Sequence, residues 1–254
     1  MIEWHDVGII LHKRDYGEDA AIVQMMTRDH GRHAGLVRGG QSKKNRGTYE
    51  PGNIVDAVWR ARLADHLGNF TCETIETPVA NVLNMPDQLV ALTAAAALLA
   101  ETMPEREPHP AVFEGTRALM GTMEADYWGE AYVKWEVLLL GELGFALDFR
   151  TCAGGGGDRL AYVSPRTGRA VSLSAGEPYR ERLLTLPAFL IGGGQGGPEE
   201  VAAGLKMTGH FLRRHLLAPA DRDLPTARLR LEDRVRALTG EERPAPVEPG
   251  EWLA

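Results

Sequence analysis

Trp4-His5-Asp6-Val7-Gly8-Ile9-Ile10-Leu11-His12, Ala20-Ala21-Ile22-Val23-Gln24-Met25-Met26-Thr27 and His33-Ala34-Gly35-Leu36-Val37-Arg38 open the chain as three apolar-rich runs, parted by Asp15-Tyr16-Gly17 and Asp29-His30-Gly31. β-Branched residues bounded by such punctuators read as strands joined by tight turns. Working outward, Ile54 to Arg62 and Asn69 to Thr77 add two more runs, with Gly39-Gly40, Pro51-Gly52 and Leu67-Gly68 between the segments. Five short strands within 77 residues predict a small β-barrel, of OB-fold or SH3-like type; periodicity alone does not separate the two.

After Pro78 the texture becomes helical. Pro86 to Met103, Pro110 to Glu124 and Tyr127 to Gly144 repeat apolar residues at helical spacing, as do Glu199 to Leu217 and Thr226 to Leu238. Residues 148–176 interrupt this pattern with glycines and two strand-like pieces around Tyr162 and Val171. The expected organisation is α+β: a barrel over 1–80, a mainly α-helical domain over 81–238 with the 148–176 insertion, and a Pro- and acid-rich frayed tail over 239–254.

The composition, 44% hydrophobic and 25% charged, is that of a soluble globular protein. Two distant cysteines, Cys72 and Cys152, and the lack of a signal-peptide pattern predict a reduced, cytoplasmic protein. The most apolar stretch, Leu89 to Ala100, is too short for a membrane span. The net charge of −7 alone argues against a polyanionic partner, but it is unevenly spread. Between residues 28 and 46, Arg28, Arg32, Arg38, Lys43, Lys44 and Arg46 stand against Asp29 alone. Between 84 and 126, Asp87, Glu101, Glu105, Glu107, Glu114, Glu124 and Asp126 stand against Arg106 and Arg117.

Arg38-Gly39-Gly40-Gln41-Ser42-Lys43-Lys44-Asn45-Arg46-Gly47 is a glycine-rich basic loop leaving a barrel strand. Such a loop lets backbone approach a phosphate while cations surround it. With Arg32, and with Arg60 and Arg62 on the next strand, it makes up the candidate nucleic-acid site: Arg32, Arg38, Lys43, Lys44, Arg46, Arg60 and Arg62. Trp59 could stack on a base, but strand alternation sets it opposite Arg60 and Arg62, which points to the core. Neither Gly154–Gly157 nor Gly192–Gly197 carries the Lys-Ser/Thr of a P-loop, and the second cluster reads as a flexible linker ahead of a helix. Histidines are scattered, and no HExxH, GxSxG or paired-carboxylate motif occurs, so no catalytic residue, metal or cofactor is expected. Cys72 reads as core filler.

The run Trp4 to Leu11, then Tyr16-Gly17-Glu18, Thr27-Arg28-Asp29-His30-Gly31 and Gly35-Leu36-Val37-Arg38-Gly39, closely resembles the RecO family of bacterial recombination mediators. So do Gly204-Leu205-Lys206-Met207-Thr208-Gly209-His210-Phe211-Leu212 and Leu224-Pro225-Thr226-Ala227-Arg228-Leu229-Arg230-Leu231. The resemblance implies an OB-fold, a helical C-terminal domain, binding of single- and double-stranded DNA, and annealing of complementary strands. It further implies partnership with RecR and with the C-terminal tail of single-stranded-DNA-binding protein, so that RecA loads onto gaps, in the cytoplasm at the nucleoid. RecO proteins often hold zinc with two C-x-x-C pairs; the corresponding positions here are Cys152 and Gly155, then Ser172 and Ala175, so the insertion resembles a zinc finger that has lost its metal. Packing around Tyr162, Val163 and Val171 is expected in its place. Arg213, Arg214, Arg228, Arg230, Arg234 and Arg236, near Phe211, Leu212, Leu216 and Leu217, suggest a basic-rimmed apolar groove for an acidic tail. The alternative from another class is an RNA-binding OB protein in translation or RNA processing; a nuclease or nucleotide hydrolase fits less well, because no carboxylate pair or phosphate loop is in place.

Overall fold

A computed structural model describes residues 1–43, 45, 47–155 and 157–240. Strands β1 (Ile2–Tyr16), β2 (Ala20–Thr27), β3 (Gly31–Val37), β4 (Ile54–Ala61) and β5 (Asn69–Glu76) pair in the order β1-β2-β3-β5-β4 and close into a barrel. β1 is long enough to pair with β4 along its first half and with β2 along its second. Closure runs through one parallel contact, Leu36 against Asn69, with the Leu36 N–H donating to Gly68 O at 3.0 Å.

Why Ile9, Ile10 and Leu11 can all be buried is answered by an irregularity. The β1–β2 register shifts between Ile10 and His12, so Leu11 is the extra residue of a bulge. Ile10 enters the barrel interior with Val23, Met25, Val55, Ala57, Trp59 and Phe70. Ile9 and Leu11, with Met26 and Ile54, instead join the apolar core of the helical half.

That core is built from α2 (Pro86–Thr102), α3 (Pro110–Gly121), α4 (Trp128–Glu142), α6 (Pro198–Leu212) and α7 (Thr226–Leu238). Two four-residue helices, α1 (Pro78–Asn81) and α5 (Leu173–Gly176), complete the helix numbering. The alanines of α2, Ala91, Ala94, Ala95 and Ala96, are fully buried, and the helix packs against both α7 and β1. Between α4 and α6, β6 (Leu160–Val163), β7 (Ala170–Ser172) and β8 (Leu184–Thr185) form a separate sheet in the order β7-β6-β8. Its first two strands are the pieces expected around Tyr162 and Val171; two-residue β8 is too short to leave a periodic signal.

Three expectations need correction. The Gly192–Gly197 segment, read as a free linker, is tied at Gly196, whose N–H donates to Glu130 Oε1 at 2.8 Å. The helix expected through Leu217 changes to a π-turn over Arg213–Leu217. The basic-rimmed groove does not form as drawn. Phe211, Leu212 and Leu217 are in the core, and Arg228 is wholly buried, its guanidinium gripping Glu136 at 2.5 and 3.0 Å. Arg213, Arg234 and Arg236 are paired with Asp223, Asp87 and Glu232. The frayed tail, from residue 241 on, lies outside the described residues.

Candidate nucleic-acid interface

The basic loop is shaped by three amide side chains. Gln41 Nε2 donates to Gly17 O at 3.0 Å and Ala20 O at 2.8 Å, pinning the loop to the β1–β2 turn. Asn45 Nδ2 donates to Gly39 O at 3.0 Å, and Asn53 Nδ2 to Gly47 O at 2.7 Å. Gly39 takes a left-handed backbone, φ +67°, where the chain leaves β3.

These ties create one wall of a cavity of about 780 Å³ on the barrel surface. Arg38 and Asn45 line it from the loop, Arg60 and Arg62 from the end of β4, and Asn69, Thr71 and Cys72 from β5. Three of the seven sequence-derived cations therefore meet. Among the described residues Arg38 and Arg62 are exposed and carry no carboxylate partner. Arg60 is held by Glu3, with Nε donating to Oε2 at 2.7 Å. Lys43 is exposed on the loop. Lys44 and Arg46 lie outside the described residues.

Arg32 does not join them. Although it shares a strand face with Arg38, six residues separate the two, about 20 Å along a strand. Its Nε donates to Met103 O at 2.7 Å, and its Nη1 lies 3.4 Å from Glu105 at the α2–α3 connection. Trp59 is core, 1% exposed, with Nε1–H donating to Leu67 O at 3.0 Å. Tyr49 and Phe70 reach the cavity but are almost wholly buried, 4% exposed each, so neither offers a ring face to a base. Cys72, read as filler, forms part of the lining, and burial pushes its thiol up to about 12. Asn45, Asn69 and Thr71 went unnoticed in the sequence; only the alternation of β5 with Phe70 inward pointed to the latter two.

Behind Phe70, Trp4 stacks on His30 (4.2 Å between ring centres) and on Trp59 (5.5 Å), and His33 meets Trp4 and Trp59 edge-on. Asp6 organises this end: its carboxylate accepts from the N–H groups of Val7 and Asp29 at 2.8 Å and lies 2.9 Å from His30 Nδ1.

The positions matching the two C-x-x-C pairs do not fit zinc. Cys152 Sγ accepts N–H groups from Gly154 at 3.3 Å and Ser172 at 3.1 Å; Ser172 Oγ accepts from Ala175 N–H; Gly155 and Ala175 offer no donor atom. One thiol cannot supply a closed tetrahedral site. No helix among the described residues is long and apolar enough to cross a membrane.

Comparison with known proteins bears on this geometry. Residues 1–78 match the family described as recombination protein O N terminal, and residues 84–223 the family described as recombination protein O C terminal. The DNA repair protein RecO of Rhodospirillum centenum is 53% identical over 250 residues, covering 96% of this chain and all of that protein. RecO of Rhodospirillum rubrum is 44% identical, with 96% and 100% covered, and RecO of Phenylobacterium zucineum 47%, with 92% and 98% covered. With its two halves matched in order and its relatives covered end to end, this chain belongs to the RecO family.

Proposed function

We propose that this chain acts in DNA repair and recombination by holding DNA through its phosphates at the barrel cavity and promoting the annealing of complementary strands. The repair and recombination role rests on family membership. The single observation that carries the mode of binding is that Arg38, Arg60 and Arg62 meet at one cavity in which no ring presents its face. Cations without a stacking platform contact the backbone and leave base edges free. Two strands repel through their phosphates, so partial neutralisation lowers the cost of encounter while pairing stays possible.

The interface comprises Arg38, Lys43, Arg60 and Arg62. Lys44 and Arg46 are included on sequence adjacency alone, and Arg32 is left out because its guanidinium is turned to the α2–α3 connection. The strand order β1-β2-β3-β5-β4 supports an OB-type barrel as the DNA-binding unit over 1–80, followed by a helical unit over 81–238. In the insertion, buried Val163 and Ala170, nearly buried Val171, and Tyr162 donating to Glu177 at 3.1 Å, do the work of the lost metal. Neutralisation needs no covalent chemistry, so the protein is a binder rather than an enzyme, working in the cytoplasm with no membrane contact. Its further partners, by family, are RecR and the tail of single-stranded-DNA-binding protein, and through them RecA.

With about four phosphates contacted, the log–log salt slope for single strands is roughly −3. Reversing Arg38 and Arg62 together to Glu lowers single-strand affinity by at least about 25-fold at 0.1 M salt and flattens the slope by about 1.4. Fluorescence anisotropy with a labelled oligonucleotide over a salt series, with RNA as competitor, reads both. Unchanged affinity and slope would remove the cavity from the mechanism.

A further inference from the structure

Arg106 is exposed, lies in the connection between α2 and α3, and has a left-handed backbone with φ +60°, which non-glycine residues adopt at a cost of about 1 kcal/mol. That conformation is fixed from the barrel side. Arg106 N–H donates to Arg32 O at 2.9 Å, Glu105 bridges Arg32 as a short parallel pair, and Arg32 Nε returns to Met103 O. Gly31 makes room for the connection: a Cβ there would sit 2.1 Å from Glu107 O.

So placed, the Arg106 guanidinium reaches the loop between β4 and β5 and donates to three successive carbonyls, Ala64 O, Asp65 O at 3.3 Å and His66 O at 3.0 Å. The next two carbonyls are held from within the barrel, Leu67 O by Trp59 and Gly68 O by Leu36. Gly68 lies so close under the Trp59 ring that a Cβ would approach it to 2.4 Å. The two ends of this loop, Arg62 and Asn69, line the cationic cavity.

We propose that Arg106 is a positioning residue for the DNA site: the helical half, through this one guanidinium, sets the pose of the β4–β5 loop and hence of Arg62. The claim rests on the cavity reading above. It makes loop pose, and so DNA affinity, dependent on the conformation of the α2–α3 connection.

The test is a double-mutant cycle on the full chain, binding a fluorescein-labelled 20-mer of thymidylate across a salt series. Arg62→Ala is expected to weaken binding about fivefold at 0.1 M salt and reduce the slope by about 0.7. Arg106→Ala should do the same, yet add less than about twofold once Arg62 is already alanine. Arg106→Lys keeps the charge but cannot fork to three carbonyls, so it should resemble Arg106→Ala. Amide exchange across residues 63–68 in free protein should quicken in both Arg106 variants, a readout that survives any loss of global stability. Additive effects with Arg106→Lys behaving as wild type would show direct phosphate contact and overturn the positioning role; so would unchanged binding with Arg62→Ala still weakened. If Arg62→Ala itself changes nothing, the cavity reading fails first.

Discussion

Arginine is used in two opposite ways in this molecule. At the junction of α4, α6 and α7, Arg228 is fully buried; Glu136 holds it with two oxygens, Leu205 O accepts from Nη2 at 2.8 Å, and Thr208 Oγ1 donates to the same carboxylate. Burial disfavours its charge, but the facing Glu136 carboxylate more than compensates, so its pKa is raised. At the barrel cavity, Arg38 and Arg62 are exposed and have no carboxylate among the described residues. The first arrangement gives each guanidinium nitrogen a partner inside the protein, Glu232 accepting from Nη1, and ties three helices together. The second leaves donors and charge facing solvent, as the proposed phosphate contact requires.

The sharpest way to break this contrast is to remove Glu136. Glu136→Ala strands a buried guanidinium and should lower stability by about 3–5 kcal/mol in urea unfolding, whereas Arg38→Glu and Arg62→Glu should stay within about 0.5 kcal/mol. Equal losses in the two regions would erase the distinction.

A titratable group in the barrel gives the next largest effect. His33 is buried among Trp4, Trp59 and Phe70, and neither ring nitrogen makes a hydrogen bond of normal geometry among the described residues. Burial first, then the nearby Arg106 charge, push its pKa down to about 4, against a backbone contact with His30 that raises it. The unfolded chain, with an ordinary value near 6.5, therefore binds the proton first on acidification. Stability is full above pH 6.5 and is lost as the pH falls toward 4, by about 2 kcal/mol on reaching pH 5. His33→Phe should flatten that part of the stability–pH curve, read by urea melts at pH 7.5 and 5; an unchanged curve would place the acid sensitivity elsewhere.

The Glu3–Arg60 pair at the cavity rim gives the smallest stability effect. It is half exposed on both sides, so Glu3→Gln should leave stability nearly unchanged. Freeing Arg60 should nevertheless tighten single-strand binding and steepen its salt slope by up to about 0.7. Weaker binding would mean that Glu3 orients Arg60 rather than restraining it.

How much of this was legible before folding differs by scale. The five barrel strands followed from β-branched runs between turn residues, because both signals are local. The strand order β1-β2-β3-β5-β4 did not, because closure depends on one contact, Leu36 to Asn69, far apart in sequence. Arg60 and Arg62 were separable from Trp59 by alternation, and the structure keeps that separation. Arg32 clusters with the loop cations in sequence, but its guanidinium turns to Met103 O and Glu105, contacts at least 71 residues away that a local reading does not contain. Arg228 was misjudged because its partner Glu136 lies 92 residues away, and a buried ion pair has no local signature. The π-turn after Leu212 and the tethering of Gly196 likewise arise from tertiary contacts that override the helical and linker signals.

The bulge at Leu11 has a consequence for how the molecule can be taken apart. Because three adjacent residues of β1 point alternately into two different interiors, this strand has no solvent-facing side along that stretch. Cutting the chain between barrel and helices would leave Ile9, Leu11, Met26 and Ile54 as a greasy scar on one piece and the surface of α2 that covers β1 on the other. The halves share a wall, so parting them exposes apolar surface on both sides of the cut.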